Sequence, residues 1–460
     1  MSWKIDLEKL ENLYRNENPS LSFLGKSKLL FLPMYDTKYQ EGYFKQYGFY
    51  GILGQFTRNL LGVKMQEQFS QELILDRVVN KVHANEEDRN QFRYFLEEYL
   101  FGESDTIPIR VFHPRIFGCF PLSDGKERGM EEKIAQFLLE VIIPIEQREV
   151  IKSYFENGQA SDLLNQLIID SLDFAPDKKH EKQQYVSKLD CVTNLFIKDF
   201  WFISKHESFF TKYFPLLLNY YYFLYVSQIA MKLCQFEKAD YEHIVPLYFF
   251  LDWEQANKRR KAYNQGYKFL EHQAKKTFVH IHCLTQLSHV SNENNEQIFT
   301  YREIYEKFIE KDIDERKEFL DSVNQWIKWY CGKKGIDSPE PINDFNQLFS
   351  SLYSVIDNAT DKRPKERFGG WILSAAQPFL RNRGRLGRTL NISQDFLILM
   401  TAVCVRDQRI SLNTYFTQLK ERGLYFDRDS LEEIKNLLTK LNLLEKKSDS
   451  GDAQYVKPIL

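Results

Sequence analysis

Apolar residues recur at three- and four-residue spacing over much of the chain, the period of a helix with one buried face. In residues 133–141 the stripe is Ile134, Phe137, Leu138 and Val141. In residues 162–172 it is Leu163, Leu164, Leu167 and Ile168. A polar break, DFAPDKKHEKQQYV, covers 173–186. Helical spacing resumes to about Leu287, breaks again at SNENNEQ (291–297), and returns over 301–330 with Ile304, Phe308, Phe319 and Trp326 facing inward. One run, 213–231, has nineteen residues without a charge. Pro215, Asn219, Gln228 and five tyrosines interrupt it. Those residues suit a helix crossing a protein core better than the centre of a bilayer, so no membrane span is expected.

The first 125 residues are less regular. SKLLFLPMY (27–35) reads as a short strand, and TIPIRVFHPRIFGCFPLSDG (106–125) as loop or strand with three prolines. No strand–helix alternation of Rossmann length is present. Prolines and glycines cluster in GKKGIDSPEPIND (332–344), a linker signal that predicts a boundary.

The last 70 residues carry the best-defined pattern. Residues 392–405, ISQDFLILMTAVCV, are apolar on nearly all sides, with Ser393 or Asn391 as a helix cap. A second helix is expected over 412–422, with Leu412, Phe416 and Leu419 inward and Gly423 as its stop. A third is expected over 429–441, with Leu431, Ile434, Leu438 and Leu441 inward. Turn formers at 448–452 separate two strand-like runs, which reads as a hairpin. The expected fold is therefore mainly α: an irregular N-terminal region (1–125) packed on a helical body (126–331), a helical and basic-loop connector (345–390), and a C-terminal winged helix–turn–helix (391–460).

Composition agrees with a large folded core. The chain has 460 residues, 43% hydrophobic and 27% charged, with 37 Phe and 26 Tyr. Its length favours more than one domain. The net charge of -2 excludes a protein that coats nucleic acid along its whole length, so any such contact must come from a local patch. Six scattered cysteines form no C-x-x-C pair, and the charged start predicts no signal peptide. Reduced thiols in a cytoplasmic protein are expected.

Several catalytic and binding motifs are incomplete in this sequence. GKS at 25–27 lacks the upstream glycine of a phosphate loop, where Ser20 stands, and has no strand before it. His272, His280, His282, Cys283 and His289 lie close in sequence, yet no H-x-x-x-H pair holds them at zinc spacing. Packed or surface histidines are expected there. Pro176-Asp177 and E-x-K strings such as 131–133 do not lie on apolar strands as a P-D…E-x-K nuclease would need. No G-x-S-x-G elbow occurs. No catalytic residues, metal or cofactor are therefore assigned, although a metal-dependent nuclease with an unrecognised site in residues 1–125 remains an alternative.

Basic segments remain. Between positions 362 and 388 stand eight Lys or Arg and one acid, Glu366. RNRGRLGR gathers Arg381, Arg383, Arg385 and Arg388, and its two glycines predict an irregular loop. Arginines on a loop can fork onto phosphate oxygens or onto acidic side chains. A second basic run, Lys258, Arg259, Arg260 and Lys261, lies beside Tyr263 and Tyr267. Lys435, Lys446 and Lys447 complete the candidate DNA-binding residues. The third C-terminal helix is electrically balanced, however, with Arg428, Lys435 and Lys440 set against Asp429, Glu432 and Glu433. A reader of the major groove usually presents a basic or amide-rich face. This favours backbone contact or protein docking over base reading.

The run LNISQDFLILMTAVCVRD, the segment LKERGLYFDRDSLEEIKNLLTKLNLLEKKSDSGDAQYV and the early FLGKSKLLFLPM resemble the DptG family. These are bacterial accessory proteins of DNA-phosphorothioation-dependent restriction. The resemblance implies two larger partners, DptF and DptH, with ATP-driven motor functions, and an assembly that restricts DNA lacking the sulfur modification. It implies no catalytic residues for this chain. If Arg381, Arg383, Arg385 and Arg388 all met DNA phosphates, affinity should fall by about two orders of magnitude between 50 and 200 mM salt, measurable by titration at several salt concentrations.

Overall fold

The computed structural model describes residues 3–16, 28–33, 48–65, 70–102, 109–125, 127–157, 162–172, 174–177, 182–291, 296–446 and 454–460. Over these residues the protein is mainly helical. The first part contains α1 (Leu7–Asn16), α2 (Tyr50–Leu61), β1 (Val63–Met65), α3 (Gln71–Asn80) and α4 (Glu86–Phe101). Next come α5 (Arg128–Phe137), α6 (Ile145–Asn157), α7 (Leu163–Ser171), β2 (Phe174–Pro176), α8 (Asp190–Ile203) and α9 (Glu207–Leu233). Then follow β3 (Phe250–Leu251), α10 (Lys261–Asn264), α11 (Tyr267–Ala274), α12 (Thr277–Leu287), α13 (Tyr301–Ile309), α14 (Ile313–Lys334), α15 (Phe345–Ala359) and α16 (Lys362–Ser374). The chain ends with β4 (Leu380–Asn382), β5 (Arg388–Ile392), α17 (Gln394–Val405), β6 (Ile410–Ser411), α18 (Leu412–Glu421), α19 (Arg428–Lys440), β7 (Leu444–Lys446) and β8 (Gln454–Val456).

The uncharged run at 213–231 lies inside α9, and every residue from Leu217 to Leu233 is buried. Helices α8, α11, α12, α16 and α17 pack around it. No helix among the described residues is long and apolar enough to cross a membrane. The expected inward residues Ile304, Phe308, Phe319 and Trp326 are all buried. Apolar side chains from Trp3 to Val456 join one continuous core.

Residues 50–101 are more helical than their pattern predicts. Glycines obscure α2 in the sequence, but Gly54 permits a close approach: a Cβ there would stand 2.1 Å from the Phe120 carbonyl oxygen. In α4, Leu96 and Leu100 are buried while Tyr94 and Phe95 are exposed, so no clean apolar stripe marks the helix. The phosphate-loop candidate at 25–27, much of SKLLFLPMY, and the turn at 448–452 lie outside the described residues.

The C-terminal helices start close to their expected positions, with Ser393, Ser411 and Asp427 as side-chain caps. Strands β6, β8 and β7 form an antiparallel sheet in that order. Gly423 adopts φ +82°, the left-handed conformation of a helix stop.

A buried charge cluster ties this region to α8 and α9. Asp199 on α8 and Arg422 after α18 have side chains only 0% and 1% exposed. The Arg422 Nε donates to Asp199 Oδ2 at 2.7 Å, and its Nη2 to Oδ1 at 2.6 Å. The Tyr221 hydroxyl on α9 donates to Oδ2 at 2.7 Å. Remaining guanidinium donors reach the Gln418 carbonyl, the Gln418 side chain and the Val403 carbonyl. Ion and hydrogen-bond partners are thus nearly complete, the condition under which a buried pair is tolerated. Truncating one partner strands the other charge. Arg422→Ala or Asp199→Ala should each cost about 3–5 kcal/mol in urea unfolding. A loss below about 1 kcal/mol in either variant would contradict that role for the pair.

Candidate nucleic-acid interface

The segment RNRGRLGR folds as a β-hairpin where an irregular loop is expected. Strand β4 pairs antiparallel with β5, with Leu380 opposite Leu390, Arg381 opposite Thr389 and Asn382 opposite Arg388. A 3-10 turn at Gly384–Leu386 joins them. Both glycines have positive φ, +58° at Gly384 and +75° at Gly387, which the turn requires. The Arg383 N–H closes it by donating to the Gly387 carbonyl at 2.9 Å. The glycines therefore specify a tight turn. From Thr389 to Ile392 strand β5 is buried on both faces and only Arg388 is exposed, so no alternation marks it in the sequence.

Strand β5 also pairs in parallel with β3, matching Phe250 to Asn391 and Leu251 to Ile392. This sheet brings the second basic run beside the first. Phe250, Ala262 and Tyr263 form a small apolar cluster of their own, and Leu386 from the hairpin turn packs on it. The Arg388 guanidinium reaches the Tyr267 hydroxyl at 3.4 Å. Two basic segments more than a hundred residues apart thus occupy one surface.

The arginines there divide into two groups. Arg260 is buried. It donates to Glu254 Oε2 at 3.1 and 3.2 Å, to Asp427 Oδ2 at 2.9 Å and to the Ser430 hydroxyl at 2.7 Å. Its plane stands 4.9 Å from the Phe250 ring centroid. Burial opposes its charge, but the Asp427 and Glu254 carboxylates outweigh this and hold its pKa above the ordinary value. Burial raises the Glu254 pKa, with the Leu251 N–H, Ser430 and Arg260 opposing it. Asp427 also caps α19, so Arg260 locks the third C-terminal helix to the β3 turn. Arg381 forks onto Asp252 at 2.9 and 2.6 Å. Arg383 donates to the Glu254 and Leu251 carbonyls at 2.8 and 2.7 Å and lies over Phe250 at 5.5 Å.

The second group faces outward. Lys258, Arg259, Lys261, Lys268, Arg385 and Arg388 are exposed. Among the described residues Arg385 makes no hydrogen bond or ion pair. Lys261 and Lys268 lie over the rings of Tyr248 and Tyr263, at 5.5 and 4.0 Å. Trp253, 40% exposed, stands in the turn after β3. Of these, Lys268 and Trp253 were not singled out from the sequence, although Lys268 closes the same short basic segment. Lys435 pairs with Glu432 at 2.8 Å on the outer face of α19. Lys446 ends β7, the edge strand opposite β6, and Lys447 lies outside the described residues.

Three of the four clustered histidines are core, while His272 is exposed. His280, His282 and His289 are buried. His280 Nδ1 meets the Tyr301 hydroxyl at 3.0 Å, His282 Nε2 the Tyr14 hydroxyl at 2.7 Å, and His289 Nδ1 the Thr285 carbonyl at 2.7 Å. Among the described residues no group of three or more His, Cys, Asp or Glu is placed to hold a metal ion. Set against known proteins, the chain matches no family model and no curated sequence.

Burial lowers the pKa of His280 and His282 to about 3 and of His289 to about 4. Unfolding exposes them to ordinary values near 6.5, so below that pH the unfolded chain binds more protons. The histidine contribution to stability should be flat above pH 7 and fall as pH drops from about 6.5 toward 4, by up to ~1.4 kcal/mol per pH unit for each histidine. Urea midpoints across this range test it. His282→Phe should flatten the slope, and an unchanged slope would remove His282 from the account.

Proposed function

We propose that this chain is a non-catalytic subunit of a DNA-phosphorothioation-dependent restriction assembly that contacts the DNA backbone and docks the motor partners DptF and DptH. The observation that carries the DNA contact is the convergence of two basic segments on one surface. Acids and carbonyls occupy Arg260, Arg381 and Arg383, and these three set the scaffold. Lys258, Arg259, Lys261, Lys268, Arg385 and Arg388 supply the outward charge. Such a surface suits phosphates, because clustered outward cations attract polyanions without reading bases.

In this reading the three helices α17, α18 and α19 with the β6–β8–β7 sheet act as a winged helix–turn–helix. Its third helix is turned to a structural task, since Asp427 and Ser430 at its start are engaged by Arg260. Specific base recognition by that helix is therefore disfavoured, and backbone contact fits better. The resemblance to the DptG family supplies the assembly and its cytoplasmic setting; the basic surface supplies the interaction.

The test separates surface from scaffold. The variant Lys258→Ala, Arg259→Ala, Lys261→Ala, Arg385→Ala should fold normally, bind duplex DNA more weakly, and reduce the slope of log affinity against log salt by about 3–4. An unaltered slope would sink the DNA contact. Co-purification from the native host should recover two large ATP-driven partners. Their absence would sink the assembly while leaving DNA binding intact.

A further inference from the structure

A cavity of about 700 Å³ opens between the start of α2, the end of α4, the 3-10 turn at Pro114–Cys119 and the first half of α9. Its size falls in the range of small-molecule sites. Tyr50, Phe101, Phe117 and Phe120 give it aromatic walls, with Tyr50 and Phe120 in edge contact at 5.3 Å.

Two polar breaks in α9 fall on this cavity. Pro215 has no N–H, so the Thr211 carbonyl lacks its partner from that position, and both residues line the space. Asn219, one turn further on, lines it too and is only 5% exposed, yet its Oδ1 has no hydrogen-bond partner. Gln228 makes the contrast. It is equally buried on the same helix, but its amide is satisfied by both backbone groups of Val245 at 2.9 and 2.8 Å. A buried unpaired amide costs about 1–3 kcal/mol, and a leucine would pack there at no such cost. Lys212, exposed, lines the same α9 face, and Arg110 stands on the wall beyond, its guanidinium 4.6 Å over the Tyr99 ring. Seven residues separate Lys212 from Asn219, about 10 Å along a helix.

We propose that this cavity binds an elongated aromatic anion. A planar ring would lie among Tyr50, Phe117 and Phe120, an N–H of the ring would meet Asn219, and a phosphate or carboxylate two helical turns away would meet Lys212 and Arg110. The site is separate from the basic surface and does not depend on DNA binding.

Calorimetric titration of the full chain with adenosine 5′-monophosphate and with indole-3-butyrate distinguishes a nucleotide from an aromatic carboxylate. Adenosine and decanoate are the comparators, lacking the anion and the ring respectively. At least one aromatic anion should bind below about 1 mM and outcompete both comparators by tenfold or more. Asn219→Leu should weaken it at least tenfold while the variant melts no lower than the parent. Lys212→Ala, at an exposed position, should weaken it several-fold and keeps the test decisive should Asn219→Leu fold poorly. Binding of neither anion, equal binding of decanoate, or unchanged affinity in the Lys212 variant would overturn the proposal.

Discussion

One helix, α9, must be covered on all sides, and the packing of the middle and C-terminal parts of the chain depends on it. From Leu217 to Leu233 α9 has no solvent-facing residue, so a single packing partner cannot satisfy it. Each aromatic side chain brings a large apolar area that only a neighbouring element can remove from water. Five helices drawn from the middle and the C-terminal part of the chain supply that cover. Three of its tyrosines find hydroxyl partners across the interface, whereas the equally buried Tyr222 hydroxyl has none. Tyr221 reaches Asp199, Tyr220 reaches the Arg422 carbonyl, and the Tyr225 hydroxyl accepts from the Lys188 N–H.

Covering such a helix with a polar-faced C-terminal region forces charges inward. Among the described residues, Asp199 with Arg422, and Glu254 and Asp427 with Arg260, bury charge where the C-terminal part packs on the rest. In both, an arginine presents several donors to carboxylates and carbonyls fixed by different elements. Arginine suits the task because its planar fork can satisfy several acceptors at once and keeps its charge when buried. The consequence at the surface is a sorting. Of the arginines and lysines on the β3–β5–β4 face, those that reach carboxylates or backbone carbonyls are held by the scaffold, although Arg381 stays largely exposed. The others point to solvent and define what the face can bind.

Much of this was legible beforehand. The periodic segments, the buried character of 213–231 and the three C-terminal helices follow from apolar spacing and cap residues, which are local, whereas the histidines stood open between packed and surface. The charge sorting was not legible. Arg259 and Arg260 are neighbours with the same chemistry, and nothing nearby in sequence says that one would meet an aspartate 167 residues away. The hairpin at RNRGRLGR was half legible. The two glycines correctly excluded a regular helix, but a tight turn and an open loop use the same residues, and only the pairing of β5 with both β3 and β4 tells them apart.

Sequence by itself therefore determined the helical class, the large aromatic core and the presence of concentrated basic segments, because helix periodicity, apolar content and charge are properties of short windows. Only the tertiary structure decided that the two basic segments form one surface, which of their arginines are spent on carboxylates, and that Asn219 is left unpaired beside a cavity. Each of these depends on which groups distant parts of the chain bring within about 3 Å of one another. A charge or an amide declares its chemistry in the sequence, but whether it is satisfied is a property of its neighbours in space.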